Sequence, residues 1–190
     1  MAERTVDWPH ELLEQLEFYW NVQFRPGLEG LTDEEYLWEP CDGCWSIRPA
    51  PDGGTTADYV VPEPDPPPFT TIAWRIGHMA TGVLGARADN HFGDRAGDFD
   101  RTHVAGGATA TAADGLAALD AAYAAWHDGI KGLGETGMAA PCGPAEGPYA
   151  EHPMAALVLH ISREVMHHGA EVLCLRDLWR CTASDRQNRG

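Results

Sequence analysis

Between Leu157 and Leu175 the chain repeats apolar residues at helical intervals: Leu157, Ile161, Val165, Val172 and Leu175. At about 100° per residue these positions fall in one narrow stripe, so the segment is constrained to a helix that lays one face on other apolar elements. Two ionisable residues interrupt that face. Glu164 and His168 stand one turn apart, about 40° from each other on the same stripe. Burying an ionisable group without a partner is costly, so a core-facing pair needs compensation. A divalent metal compensates it most economically, because it offsets the carboxylate and takes the neutral imidazole as a ligand.

Three further helical stretches precede this one. The first runs from about Pro9 to Phe24, with Leu12, Leu13, Leu16, Tyr19, Trp20 and Phe24 at helical spacing and Pro26-Gly27 as its stop. Thr32 and Glu35 then have capping-box spacing for a short helix ending before Pro40. Residues from Cys41 to Phe69 read as loop, and Pro62 to Pro68 holds five prolines in seven positions, a stiff extended run. A second long helix begins at Thr70-Thr71 and continues through Ile72, Trp74, Ile76, His78, Met79, Val83 and Leu84. Gly93 to Gly107 reads as loop, and an Ala-rich helix spans about Ala112 to Leu133. A Gly/Pro loop from Gly134 to Pro148 leads to the fourth helix, about Pro153 to Trp179. No segment alternates cleanly and no repeat is visible. The expectation is an all-α four-helix bundle with long Pro/Gly-rich loops, one domain over residues 1–190.

Thirteen basic residues face 29 acidic ones, for a formal net charge of −16, which argues against nucleic acid and anionic membrane surfaces as partners. No segment approaches the roughly 20 apolar residues needed to span a bilayer. The first residues lack the charged start and apolar run of a signal peptide. Five cysteines, an odd number at 41, 44, 142, 174 and 181, make no disulfide framework, and a cytoplasmic location is expected. Cys41-Asp42-Gly43-Cys44 is a lone CxxC: a zinc ribbon would need a second one. It reads as a loop with two thiols.

A bundle interior is where facing helices assemble metal sites. Glu164 and His168 supply two ligands, and His78, mid-helix in a segment with few solvated positions, is the best third. It lies about 160° from the stripe of Ile72, Ile76, Ala80 and Val83, so it faces inward only if its helix is buried on two sides. A His/Glu/His set with an open position describes a catalytic site better than a closed structural one. As plain structure, His78 and His168 would be core histidines and Glu164 a partner of Arg163 or Arg75. His160, His167 and Glu171 flank the stripe: such groups orient ligands or lie at a helix–helix boundary with one edge in water, the reading favoured for His167, and His160 is also the fallback ligand. Trp45 and Trp74 are candidates for the mouth of a metal pocket.

Four segments carry a resemblance to a known family. They are the apolar first helix followed by Gly30-Leu31-Thr32-Asp33-Glu34-Glu35, the Trp45-Ser46-Ile47-Arg48 run, Ile72 to Met79 with its His78, and the His160 to Glu171 run. Together they resemble the DinB/YfiT-like metal-binding superfamily, whose pattern is one His on the second bundle helix and His-x-x-x-His on the last. Glu164 stands where the first of those two histidines is usual, a departure similar to the branch containing mycothiol-dependent maleylpyruvate isomerase. The resemblance implies His78, Glu164 and His168 as ligands of a divalent metal, zinc or nickel. It also implies mycothiol or another low-molecular-weight thiol as cofactor, transferase or isomerase chemistry on a small electrophile, and a homodimer. The segment from Pro49 to Pro68 is long against the family's usual link, and no second domain of the kind that isomerase carries is seen.

The function expected is Lewis-acid activation of a small thiol toward a small-molecule substrate at that metal. A metal-dependent hydrolase, and a non-enzymatic stress-related module with a structural or absent metal, are the alternatives.

Overall fold

The computed structural model describes residues 6–93 and 109–183; the loop expected up to Gly107 lies, beyond Gly93, outside them. Four long helices dominate the described residues and share one hydrophobic core. The fold is all-α apart from one small pair of strands.

The first helix starts where Asp7 Oδ1 accepts the His10 amide at 3.2 Å, with Pro9 in the first turn, where a missing N–H costs nothing. It runs Trp8–Phe18, widens to π-helical bonding over Tyr19–Phe24, and closes with Arg25–Gly27. The helix thus ends at the expected stop, Pro26-Gly27. The wider turns run into Pro26, which has no amide to donate. Leu13, Leu16, Trp20 and Phe24 form its buried face.

Thr71 caps the second helix, its Oγ1 accepting the Trp74 amide at 3.2 Å. This helix is α over Ile72–Gly77, π over His78–Gly85 and α again over Ala86–Phe92. Ile72, Ala73, Trp74, Ile76, Met79, Ala80, Gly82, Val83 and Leu84 are all buried, so it is covered on more than one side. The third helix, Ala112–Lys131, is capped by Thr111 and lies in close contact with the second, its alanines keeping the two backbones near each other. The fourth, Met154–Cys181, follows Pro153 and touches both the first helix and the second.

Two segments expected as loop hold structure. Between Cys41 and Phe69, β1 (Ile47–Pro49) and β2 (Thr55–Ala57) pair antiparallel. Three residues per strand are too few for a visible period of two. Their position is set instead by Asp58, which accepts from the Ser46 amide and the Arg48 Nε, at 3.0 and 2.9 Å. Between Gly134 and Pro148 lie a short helix, Gly134–Ala139, and the 3-10 turn Pro144–Tyr149. Neither is long enough to be stable alone; the short helix is anchored by Met138 in the core.

A buried ion pair fixes the fourth helix against the short helix Asp33–Tyr36. Arg176 forks onto Glu35, with Nε–Oε1 at 2.8 Å and Nη2–Oε2 at 3.1 Å, and its Nη1 donates to the carbonyls of Gly27 and Glu29. Thr32 does accept the Glu35 amide at 3.2 Å, as the capping-box spacing predicts. The Glu35 carboxylate, however, goes to Arg176 and not back to the cap. That partner is 141 residues away, so local spacing could not reveal it.

Candidate metal centre

The fourth helix presents His168, 8% exposed, to the second helix at His78, with ring centroids 4.9 Å apart and the rings nearly perpendicular. Close helix approach beside His168 depends on Gly169. A Cβ there would stand 2.4 Å from Tyr19 Oη and 3.1 Å from the Phe24 ring. The small residue lets the first helix seal this flank of the site.

His168 uses its two ring nitrogens on different sides. Its Nε2 lies 3.4 Å from Glu164 Oε2. Its Nδ1 lies 2.8 Å from Glu171 Oε2 and 3.4 Å from Arg75 Nη1. Arg75 Nε is in turn 3.0 Å from Glu171 Oε2. A carboxylate on Nδ1 fixes the proton there and leaves the Nε2 lone pair toward Glu164, the arrangement that holds metal-binding histidines in one tautomer and orientation. Glu164 is held from its other oxygen by Arg163 Nη2 at 3.5 Å and His160 Nδ1 at 3.6 Å.

His78 occupies the position facing this pair. Its ring stacks on Trp74 at 5.3 Å, and Trp74 leans on Trp45 at 5.8 Å. The Trp74 indole is fixed by donating to the Asp58 carbonyl at 2.7 Å. The His78 Nδ1 is shut off from water and has no hydrogen-bond partner. Burial, reinforced by His168 and Arg75, pushes its pKa down to about 4, so the ring is neutral at physiological pH. A buried imidazole nitrogen with no partner is expensive, and a neutral one is ready to ligate.

Among the described residues, three ligand atoms approach within 4.8 Å of one another on His167, His168 and Glu171. His167 is mostly exposed and reaches Glu171 Oε1 at 3.3 Å. It also borders an outer groove of about 520 Å³ with Leu12, Gln15, Leu159, Ser162, Arg163 and Met166. His167, His168 and Glu171, the outer set, are the group that comes this close among the described residues; His78 and Glu164 lie toward the other side of His168 and are not gathered with it to the same distance. Each carboxylate beside His168 already carries a guanidinium, Glu171 that of Arg75 and Glu164 that of Arg163. His78, Glu164 and His168 offer two imidazoles and a carboxylate, with the His78 Nδ1 unpartnered, a donor chemistry of the kind that divalent ions take.

Sequence spacing brought Glu164 and His168 together and raised His78. It offered Arg163 or Arg75 as the partner of Glu164; Arg163 takes that place at 3.5 Å, and Arg75 pairs with Glu171. The i, i+3 step from His168 to Glu171 was the available signal for that contact, because both then lie on one face. A second polar cluster, His91 Nε2 to Glu146 Oε1 at 3.0 Å with Arg87 at 3.5 Å, was not foreseen, since its members come from distant segments. No helix among the described residues is long and apolar enough to cross a membrane.

No curated protein and no solved structure matches this chain. A family profile described as the DinB superfamily matches residues 15–172, which take in part or all of each of the four long helices and every residue of the centre. The helical architecture, the His/Glu cluster between the second and fourth helices and that match agree: the chain belongs to the DinB superfamily.

Proposed function

We propose that the protein binds one divalent metal through His78, Glu164 and His168 and uses it to activate a small thiol for transfer to, or isomerisation of, a small electrophile. The observation that carries the reading is the buried, unpartnered Nδ1 of His78 set against His168, whose opposite nitrogen is held by Glu171. A divalent ion held there supplies a Lewis acid, the chemistry that lowers the pKa of a thiol or of water. The protein's own residues supply the rest. Glu171 keeps the His168 proton on Nδ1, Arg75 neutralises Glu171, and Trp74 keeps the His78 ring flat against its face. Membership of a superfamily that often binds metal supports the same reading, and the net charge of −16 favours a small partner over a polyanion.

Metal analysis of untagged protein, with thermal shift on adding zinc or nickel, tests it. About one ion per chain is expected, lost in His78→Ala, Glu164→Ala and His168→Ala and kept in His167→Ala. Loss in His167→Ala with retention in His78→Ala would move the ion to the outer set. Protein that neither holds nor responds to metal would sink the proposal. With metal in place, turnover that persists without added thiol would replace the thiol chemistry by hydrolysis.

A further inference from the structure

The CxxC segment plays no part in the metal centre, yet its two thiols are brought together. Cys41 Sγ and Cys44 Sγ lie 3.4 Å apart. Cys41 is exposed and Cys44 is 2% exposed, its thiol donating to the Cys41 carbonyl at 2.9 Å. The turn between them is made by Gly43, whose φ of +78° is the left-handed backbone that glycine adopts without steric cost. The segment is also fastened from behind. Arg48 Nη2 donates to the Cys44 carbonyl at 3.0 Å while its other nitrogens hold Asp58 and Glu39. Trp45 forms a bridge with Thr70, its amide donating to Phe69 and its carbonyl accepting from Thr71, at 2.8 and 2.9 Å. The pair therefore meets in the folded chain without any rearrangement of its surroundings.

We infer that Cys41 and Cys44 form a thiol–disulfide exchange site that takes a low-molecular-weight disulfide, with Cys41 as the attacking thiol and Cys44 as the resolving one. Exposure sets the order. The Cys41 thiolate attacks one sulfur of R–S–S–R, forming a Cys41–S–S–R bond and releasing one RS⁻ that takes a proton from water. Cys44 then loses its proton to solvent and attacks the Cys41 sulfur, forming the Cys41–Cys44 bond and releasing the second RS⁻. In sum one disulfide and two protein thiols become one protein disulfide and two free thiols, so the small molecule is reduced and the protein oxidised by two electrons. Burial and the Cys41 carbonyl act on Cys44 in opposite senses, burial prevailing and pushing its thiol up to about 11. The second step needs the Cys44 thiolate and accelerates as pH rises. This site is independent of the metal assignment.

The test uses the full chain, reduced and freed of reductant, mixed with oxidised glutathione and followed by intact mass and peptide mapping of Cys41 and Cys44. Wild type is expected to lose two hydrogens, with the new bond mapped to Cys41–Cys44. Cys44→Ser and Cys44→Ala are expected to stop at one glutathione adduct on Cys41. Cys41→Ser is expected to leave Cys44 unmodified. Raising the pH from 7 to 9 should speed loss of the wild-type adduct. A wild-type protein that keeps its adduct without closing the bond would overturn the inference, and so would unreactive Cys41 or equal modification of Cys44 in Cys41→Ser. Circular dichroism of each variant confirms that the helices are intact before its chemistry is read.

Discussion

The Arg176–Glu35 pair is the interaction whose removal should be felt most strongly away from the metal centre. Both residues are almost wholly buried, Arg176 at 2% and Glu35 at 3% exposure. In Arg176→Met the apolar volume is roughly kept, but the Glu35 carboxylate is left without its fork and the Gly27 and Glu29 carbonyls lose a donor. Breaking a buried pair from one side costs about 3–5 kcal/mol, because the remaining charge is uncompensated. For a chain of this size that is a fall in melting temperature of roughly 6–20 °C. Removing both charges, in Arg176→Met with Glu35→Met, eliminates the stranded carboxylate. What remains is the loss of the carbonyl contacts, about 1 kcal/mol each. The double variant should then be more stable than Arg176→Met alone, an interaction energy of at least ~2 kcal/mol in a double-mutant cycle. Urea unfolding followed by helical circular dichroism, with the slope checked for constancy across the four proteins, gives the numbers. A cost below about 1 kcal/mol for Arg176→Met, or strict additivity in the cycle, would refute the account of a desolvated, mutually dependent pair.

Other consequences are as specific. In metal-free protein His78 sits at about 4 against 6.5 for the free side chain, so the unfolded chain takes up the proton first. Its contribution is complete above about pH 6.5 and is lost as pH falls toward 4, ~3 kcal/mol in all, and His78→Gln should flatten that part of the urea-midpoint profile measured in chelator. Glu171→Gln should leave the fold intact but weaken metal binding roughly 10–100-fold in chelator competition, since His168 Nδ1 loses its carboxylate; unchanged affinity would deny Glu171 an orienting role. Gly169→Ala puts a methyl 2.4 Å from Tyr19 Oη. The overpacking cost of ~1–3 kcal/mol should outweigh the helix-propensity gain of up to ~1, lowering the melting temperature; a more stable variant would contradict the close approach.

The local part of this molecule was written in the order of its residues. Helical spacing of Leu157 to Leu175 required the fourth helix, Thr71 caps the second helix at its expected start, and Glu164 with His168 shared a face by arithmetic alone. These signals reach only a few residues, as do the forces behind them. Tertiary structure decided what meets across the bundle: that His78 faces His168, that Arg75 takes Glu171, that Glu35 spends its carboxylate on Arg176, and that Asp58 anchors two three-residue strands. Each partner there is supplied by a different segment, and burial selects it by satisfying charge and hydrogen bonds that spacing along one helix cannot see. The stripe on the last helix therefore demanded partners for Glu164 and His168: its own turns supply Arg163 and Glu171, and only packing brings His78 and Arg75 of the second helix against them.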